Sequence, residues 1–274
     1  MSVRAGLPLL AGAAIAFVGA LCGIGGGLFA VPMLHYLFRL DLRASVATSL
    51  CLVAATAWSS TATELLRPDS ALVLSVVLPL ALGALAGAQL GYRISKRLDE
   101  RRLKAVFAAV LLLAGARMLL LDSIPAGPTE VAGGSPLVLG ALAALIGAGA
   151  GTVAPLLGIG GGLVVVPALM FTMPGLGALA VRAASLGVAC VTSARSIQLY
   201  AGEGIIRPAL GLPIALGALV GASLGVHTVH LPGMSEVGQR VMGGILVLTA
   251  LRFARDVARP RSPGSGEAAD GAAE

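Results

Sequence analysis

Long apolar segments alternate with short polar ones along almost the whole chain. Each half of the sequence predicts a span, a glycine-rich break, a short helix and three more spans. These segments lie at about 5–22, 28–40, 44–64, 71–92 and 104–121 in the first half, and at about 136–157, 163–173, 180–200, 208–226 and 237–254 in the second. The strict alternation of a membrane β-barrel is missing, so the pattern predicts an all-α polytopic membrane protein.

Composition agrees with this class. Of the 274 residues, 57% are hydrophobic and only 12% are charged. The formal net charge is +6, but the basic residues lie in loops and in the C-terminal tail, where they orient a protein in the lipid bilayer, so no nucleic-acid partner is expected. Cys22, Cys51 and Cys190 lie inside apolar segments without C-x-x-C spacing, so the sequence predicts neither a disulfide framework nor a metal site.

An internal repeat divides the chain. The string Gly-Ile-Gly-Gly-Gly occurs at 23–27 and again at 158–162, and an offset of about 135 also aligns Pro32 with Pro167. The chain therefore contains two homologous copies of one membrane unit. We assign 1–121 to the first repeat, 122–135 to an external linker, 136–256 to the second repeat and 257–274 to a disordered cytoplasmic tail.

Glycines spaced four residues apart recur in the fourth span of each half. The segment 79–91 matches the segment 213–225, and the three shared glycines of each are Gly83, Gly87 and Gly91 in one copy and Gly217, Gly221 and Gly225 in the other. Such spacing leaves a smooth groove along one helix face, so the sequence predicts close helix packing there.

Loop charges predict the orientation of the two copies. The protein is expected in the cytoplasmic (inner) membrane. The 93–104 loop carries six Lys or Arg residues and is expected on the cytoplasmic side, whereas the 122–135 linker has none and is expected outside. With a basic C-terminal tail also inside, each copy needs an odd number of crossings, which favours inverted repeats of about five helical segments with broken helices near the midplane. The alternative is that the short helices re-enter, which gives four crossings per copy and parallel repeats.

The two breaks are the first candidate for a binding site. Glycine permits left-handed backbone and close approach, and the amides that open the following helix are unpaired and carry positive partial charge, so an oxyanion is their natural ligand. The candidate residues are Gly25, Gly26, Gly27, Gly160, Gly161 and Gly162. The alternative is that these glycines only permit a tight helix crossing.

The same residues carry a family resemblance. Gly-Ile-Gly-Gly-Gly-Leu followed by an apolar stretch and Val-Pro, at Val31-Pro32 and at Val166-Pro167, resembles the TauE/SafE family of sulfite exporters and related anion transporters. The resemblance covers about residues 5–255. It implies export of sulfite, sulfoacetate, a sulfonate or another sulfur-containing or organic anion across the bacterial cytoplasmic membrane, with no cofactor.

Polar residues within the spans supply further candidates. Thr48, Ser49 and Ser185 follow the breaks and either hydrogen-bond the anion or donate to their own helix carbonyls. Arg195 and Gln198 lie on the same span as Ser185, and a guanidinium suits an oxyanion, although a structural partner for Arg195 is an equal alternative. Arg182 lies nearer a span end, which favours an anchor at the membrane interface.

Three classes of function remain open at this point. A transporter for a small anionic substrate fits the paired breaks, an anion channel would use the same parts, and an enzyme would need a nucleophile or metal cluster that the sequence does not assemble. The acidic residues fall at span ends, so the coupling ion, whether a proton, sodium or none, stays open. The glycine-lined faces are also compatible with a homodimer.

Overall fold

Ten helical segments make up the described part of this computed structural model, which is residues 3–68, 70–120, 135–173, 175–229 and 234–258. No strand occurs among these residues, so the all-α prediction is confirmed. The segments are α1 Val3–Cys22, α2 Gly27–Pro32 with a π-helical continuation over Met33–Leu37, α3 Leu42–Leu65, α4 Leu74–Arg97, α5 Glu100–Leu120, α6 Pro136–Leu157, α7 Gly162–Thr172, α8 Ala178–Ala201, α9 Pro208–Val229 and α10 Met234–Ala258.

Each predicted segment corresponds to one helix, although several boundaries differ. Helix α4 continues to Arg97 and α5 begins at Glu100, so most of the predicted 93–104 loop is helical. Helix α10 extends to Ala258, so residues 257 and 258 of the predicted tail are helical, and the carbonyl of Val257 near its end accepts a hydrogen bond from Arg101 at 3.1 Å. The rest of the predicted tail, and all of the predicted linker except Ser135, lie outside the described residues.

Several helices are suited to a lipid environment. Within the described ranges, four are long and apolar enough to cross a membrane, namely Leu42–Leu65, Leu74–Arg97, Leu137–Leu157 and Pro208–Val229. Large apolar side chains such as Leu82 and Leu145 are about 70% exposed on the outside of the bundle. Such exposure would be unfavourable in water, and lipid is the solvent that covers it.

The glycine grooves form the tightest helix contacts. A Cβ built on Gly87 of α4 would overlap the carbonyl oxygen of Ala148 on α6, and a Cβ on Gly221 of α9 would overlap that of Ala13 on α1. The predicted close packing is therefore confirmed, with α4 seated on α6 and α9 on α1. In both pairs successive glycines meet residues further along the partner, so the two helices of each pair run in the same direction.

Helix pairing treats the two halves alike. The first span of each half packs on the fourth span of the other, which gives α1 with α9 and α6 with α4. The third spans, α3 and α8, pack on each other, and so do the fifth spans, α5 and α10. The core is consequently built mainly between the halves, and neither copy buries its helices alone.

The basic segment 93–104 and the end of α10 lie at the same end of the bundle. Arg43 at the start of α3 donates to the Leu98 carbonyl at 2.6 Å, and the Nζ of Lys96 lies 2.7 Å from Glu203 in the α8–α9 connection. Partial burial raises the pKa of Glu203, but hydrogen bonds from Lys96 and Tyr92 outweigh it and hold that pKa below the usual 4.5. Which side of the membrane this end faces stays a prediction.

Candidate functional site

The two glycine breaks pack against each other inside the bundle. A Cβ built on Gly27 would overlap the carbonyl oxygen of Gly158, and a Cβ on Gly162 would lie 3.0 Å from the carbonyl oxygen of Gly23. These two contacts are equivalent under the repeat, and all four glycines are buried. The fifth glycine of each motif therefore packs against the first glycine of the other motif, and this close approach is possible only because Gly27 and Gly162 have no side chain.

Left-handed backbone opens both short helices. Gly26, with φ +76°, precedes α2, and Gly161, with φ +83°, precedes α7, while Gly25 and Gly160 are also left-handed. The amides of Phe29 and its neighbour Ala30 already bond to the carbonyl of Gly26. The amides at the very start of each short helix have no partner within that helix, as at any helix N-terminus.

Each break folds back along the preceding span. The Ile24 amide donates to the Gly19 carbonyl at 3.1 Å, and a Cβ on Gly161 would lie 2.8 Å from the carbonyl oxygen of Ala150, well before the end of α6. Helix α7 then packs against α6. The short helices therefore begin part-way along the bundle, as their length predicts.

Two serine hydroxyls tie the breaks together. Ser49 on α3 donates to the carbonyl of Gly158 at 3.0 Å and to Val46 in its own helix, and Ser185 on α8 donates to the carbonyl of Gly23 at 2.7 Å. Each serine thus bonds to the break of the other half, an arrangement that neither sequence alternative included. Thr48 has a different contact, because its Oγ1 accepts from the Arg207 amide at 3.1 Å.

Arg195 and Gln198 belong to a separate polar group between α4 and α8. Arg195 donates to Gln89 at 3.0 Å and to Gln198 at 3.3 Å, and Gln198 is exposed. At the corresponding place in the other half, Ser59 and Ser223 lie 2.9 Å apart. A polar pair therefore joins α4 to α8 and an equivalent pair joins α9 to α3. This repetition favours the structural alternative for Arg195. The structure brings Ser49 and Ser185 to the breaks, but not this pair.

Arg182 supports the back of the first break. Its Nη2 donates to the Ala20 carbonyl at the end of α1 at 2.9 Å, and its aliphatic stem packs against Gly23. The Nε atom is buried and has no hydrogen-bond partner among the described residues. An anchor at the membrane interface would leave the guanidinium exposed, so that expectation is wrong. Val46 occupies the equivalent position, so the other break has no such cation.

Comparison with known proteins now identifies the class. The family model described as sulfite exporter TauE/SafE matches residues 2–118 and 143–273. The chain belongs to the TauE/SafE family. This membership agrees with the helical bundle and with the paired breaks, and it makes the protein a multi-pass membrane transporter.

Individual relatives of this TauE/SafE member point the same way. A "Probable membrane transporter protein" of Xylella fastidiosa strain 9a5c is 26% identical over 252 residues, which cover 88% of this chain and 91% of the relative, and a protein of the same name from strain Temecula1 is 25% identical over the same extent. "Probable membrane transporter protein YunE" of Bacillus subtilis is 27% identical over 105 residues, 38% of each chain. No solved structure matches the chain.

A group of buried hydroxyls in this family member escaped the sequence interpretation. Thr192 on α8 donates to the Gly160 carbonyl at 2.7 Å. Thr56 and Ser60 on α3, and Ser196 on α8, are fully buried and have no hydrogen-bond partner among the described residues. A buried hydroxyl without a partner costs about 1–3 kcal/mol, so three of them need a reason. The sequence feature that could have pointed to these hydroxyls is their recurrence in both halves, since an offset of 136 pairs Thr56 with Thr192 and Ser60 with Ser196.

Proposed function

We propose that this protein is a secondary transporter that exports sulfite or a related sulfur-containing anion, such as sulfoacetate or another sulfonate, across the cytoplasmic membrane. The observation that carries the proposal is that the two breaks meet inside the bundle, where the start of α2 at Gly27 packs against Gly158 and the start of α7 at Gly162 packs against Gly23. Paired half-helix N-termini offer amides and positive dipole ends to an anion. Membership of a sulfite exporter family supports the choice of substrate.

The helix directions support inverted repeats for this transporter. Helix α4 runs parallel to α6, and α9 runs parallel to α1. Helix α3 also runs parallel to α9, since Thr48 bonds to Arg207 just before α9 and Ser59 bonds to Leu219 further along it. Helices α1 and α3 therefore run in the same direction, which supports a return pass by α2, five passes per copy and an inverted second copy, because a re-entrant α2 would make α1 and α3 antiparallel. Such repeats allow one half to rock against the other, so that the central site opens to each side in turn.

The membrane potential supplies a driving force for export. An anion that leaves an inside-negative cell gains about 2.3 kcal/mol per charge per 100 mV, so export requires no coupled cation. The same energetics would serve a channel, and the two mechanisms differ in kinetics. A transporter saturates and exchanges labelled for unlabelled substrate across the membrane, whereas a channel does neither.

The test is uptake of labelled sulfite into proteoliposomes, with sulfate, thiosulfate, sulfoacetate and lactate as competitors. We expect saturable flux with countertransport, and its loss when Gly26 and Gly161 are both changed to alanine, with Gly149→Ala as the control because a Cβ there has no neighbour within 4 Å. Linear flux without exchange would indicate a channel. Preferred transport of lactate would indicate a non-sulfur organic anion, and a monodisperse wild type that carries none of these anions would contradict the proposal.

A further inference from the structure

Three hydroxyls that have no partner among the described residues lie with the hydroxyl of Thr192 in one row between α3 and α8. Thr56 and Ser60 are one helical turn apart on α3, and Thr192 and Ser196 are one turn apart on α8. The row, which we call the α3–α8 hydroxyl row, consists of these four residues. All four are fully buried, and their helices contact each other through Val53, Ala57, Ala189 and Cys190.

Helices α3 and α8 run antiparallel, and this fixes the order of the four residues along the row. Tyr200 near the end of α8 clusters with Leu50 near the start of α3, whereas Cys190 of α8 lies 3.4 Å from Thr61 further along α3. Ser60 therefore lies on one side of the crossing and Ser196 on the other. Each is about 6 Å beyond its threonine along the helix, so the row extends to both sides of the glycine breaks.

Failure to bond within the helix sets these hydroxyls apart from their neighbours. A serine or threonine in an apolar helix usually donates to the carbonyl three or four residues before it. Ser193 and Thr192 on α8 do so, with bonds to Ala189 and Val188. Thr56, Ser60 and Ser196 do not, so three buried O–H donors of this row have no hydrogen-bond partner within the described part of the chain.

We propose that Ser60 and Ser196 are substrate-binding residues that hydrogen-bond the transported oxyanion on opposite sides of the centre, with Thr56 between them. This inference rests on the proposed function. In one access state the anion takes its hydrogen bonds from the starts of the short helices and from Ser60, and in the other it takes them from the same helix starts and from Ser196. Neutral donors suit a transported anion because they bind it without holding it as a buried cation would.

The first test is the KM for sulfite flux of Ser60→Ala and Ser196→Ala. Loss of a hydrogen bond to a charged ligand is expected to raise the KM about tenfold or more in each variant. Ser193→Ala is the matched control, a buried serine on the same helix whose hydroxyl bonds to its own backbone, and its KM should stay within about twofold of wild type. Wild-type KM in both folded variants would overturn the proposal.

The second test is independent of the substrate. Ser60→Cys, Ser196→Cys and Ser193→Cys are treated with a membrane-impermeant thiol reagent in right-side-out and inside-out membrane vesicles, and the modified peptide is identified by mass spectrometry. We expect modification of Ser60→Cys from one side only and of Ser196→Cys from the other only, with Ser193→Cys unreactive from both.

The two tests separate the inference from the function on which it rests. If the wild type carries no sulfite but the two cysteines still react from opposite sides, the row lines a pathway for another solute and the substrate assignment alone fails. If the wild type carries sulfite but neither cysteine reacts from either side, the row lies outside the pathway and the inference is overturned.

Discussion

Replacement of Gly147 by alanine tests the backbone contact that joins the two halves. Gly147 on α6 is buried against α4, and a Cβ there would overlap the carbonyl oxygen of Leu80. Gly149, two residues further along the same helix, is exposed, and a Cβ there has nothing within 4 Å. The two substitutions add the same methyl group to the same helix, so their difference isolates the contact.

Opposing effects set the expected magnitude. Alanine in a helix interior stabilises the helix by about 1 kcal/mol relative to glycine, and both variants share this effect. At Gly147 the new methyl would overlap the Leu80 carbonyl oxygen and must push α4 away by about 1.4 Å to reach ordinary van der Waals distance at 3.4 Å, and overpacking of this kind costs about 1–3 kcal/mol or more. Because the seam continues through Gly151 and Gly87, the shift also loosens contacts above and below.

The assay is thermal unfolding of the purified protein in detergent, with monodispersity checked by gel filtration. We expect Gly147→Ala to lower the Tm by several degrees, since about 1 kcal/mol corresponds to about 2–4 °C in a chain of this size. Gly149→Ala should leave the Tm unchanged or raise it. Equal Tm values for the two variants would refute the close approach of α4 and α6.

Three further predictions concern particular contacts. Ser185→Ala leaves the opposite break with a buried unpaired carbonyl, so it should lower the unfolding free energy by about 1–3 kcal/mol in denaturant titration. Gln89→Met removes a partner of Arg195 on the α4–α8 seam and should lower the Tm with little change in the KM for sulfite. Glu203→Gln should destabilise the protein at neutral pH, and its Tm difference from wild type should vanish on acidification, because a carboxylate of lowered pKa stabilises the fold above its unfolded pKa of 4.5 and loses that effect as the pH falls through the folded value.

Each of these predictions has an outcome that contradicts it. Thr228→Ala removes an exposed hydroxyl that bonds within its own helix, so a Ser185→Ala variant no less stable than this control would deny the bond between the breaks. A strong rise in the KM for sulfite in Gln89→Met would indicate that Arg195 contacts the substrate, and the structural role would be contradicted. A Tm difference for Glu203→Gln that is constant with pH would exclude titration of this carboxylate as its cause.

Local features were readable from the sequence because they depend on neighbouring residues. The spans follow from runs of apolar residues, and α2 and α7 begin where left-handed Gly26 and Gly161 end the breaks. The groove glycines, such as Gly87, were assigned to helix packing correctly because absence of a Cβ has the same meaning in any helix. Arg182 was misjudged because its partner, the Ala20 carbonyl, is 162 residues away in the chain.

The sequence by itself determined the membrane class, the two copies, the position of each break and the faces that pack closely, since each follows from composition, periodicity or the lack of a side chain. Only the tertiary structure decided that α4 seats on α6, that Ser49 and Ser185 bond to opposite breaks, and that Ser60 and Ser196 find no hydrogen-bond partner among the residues the structure describes. The physical reason is that a hydroxyl in a helix has both local and distant acceptors, and the one it reaches depends on which helix packs beside it.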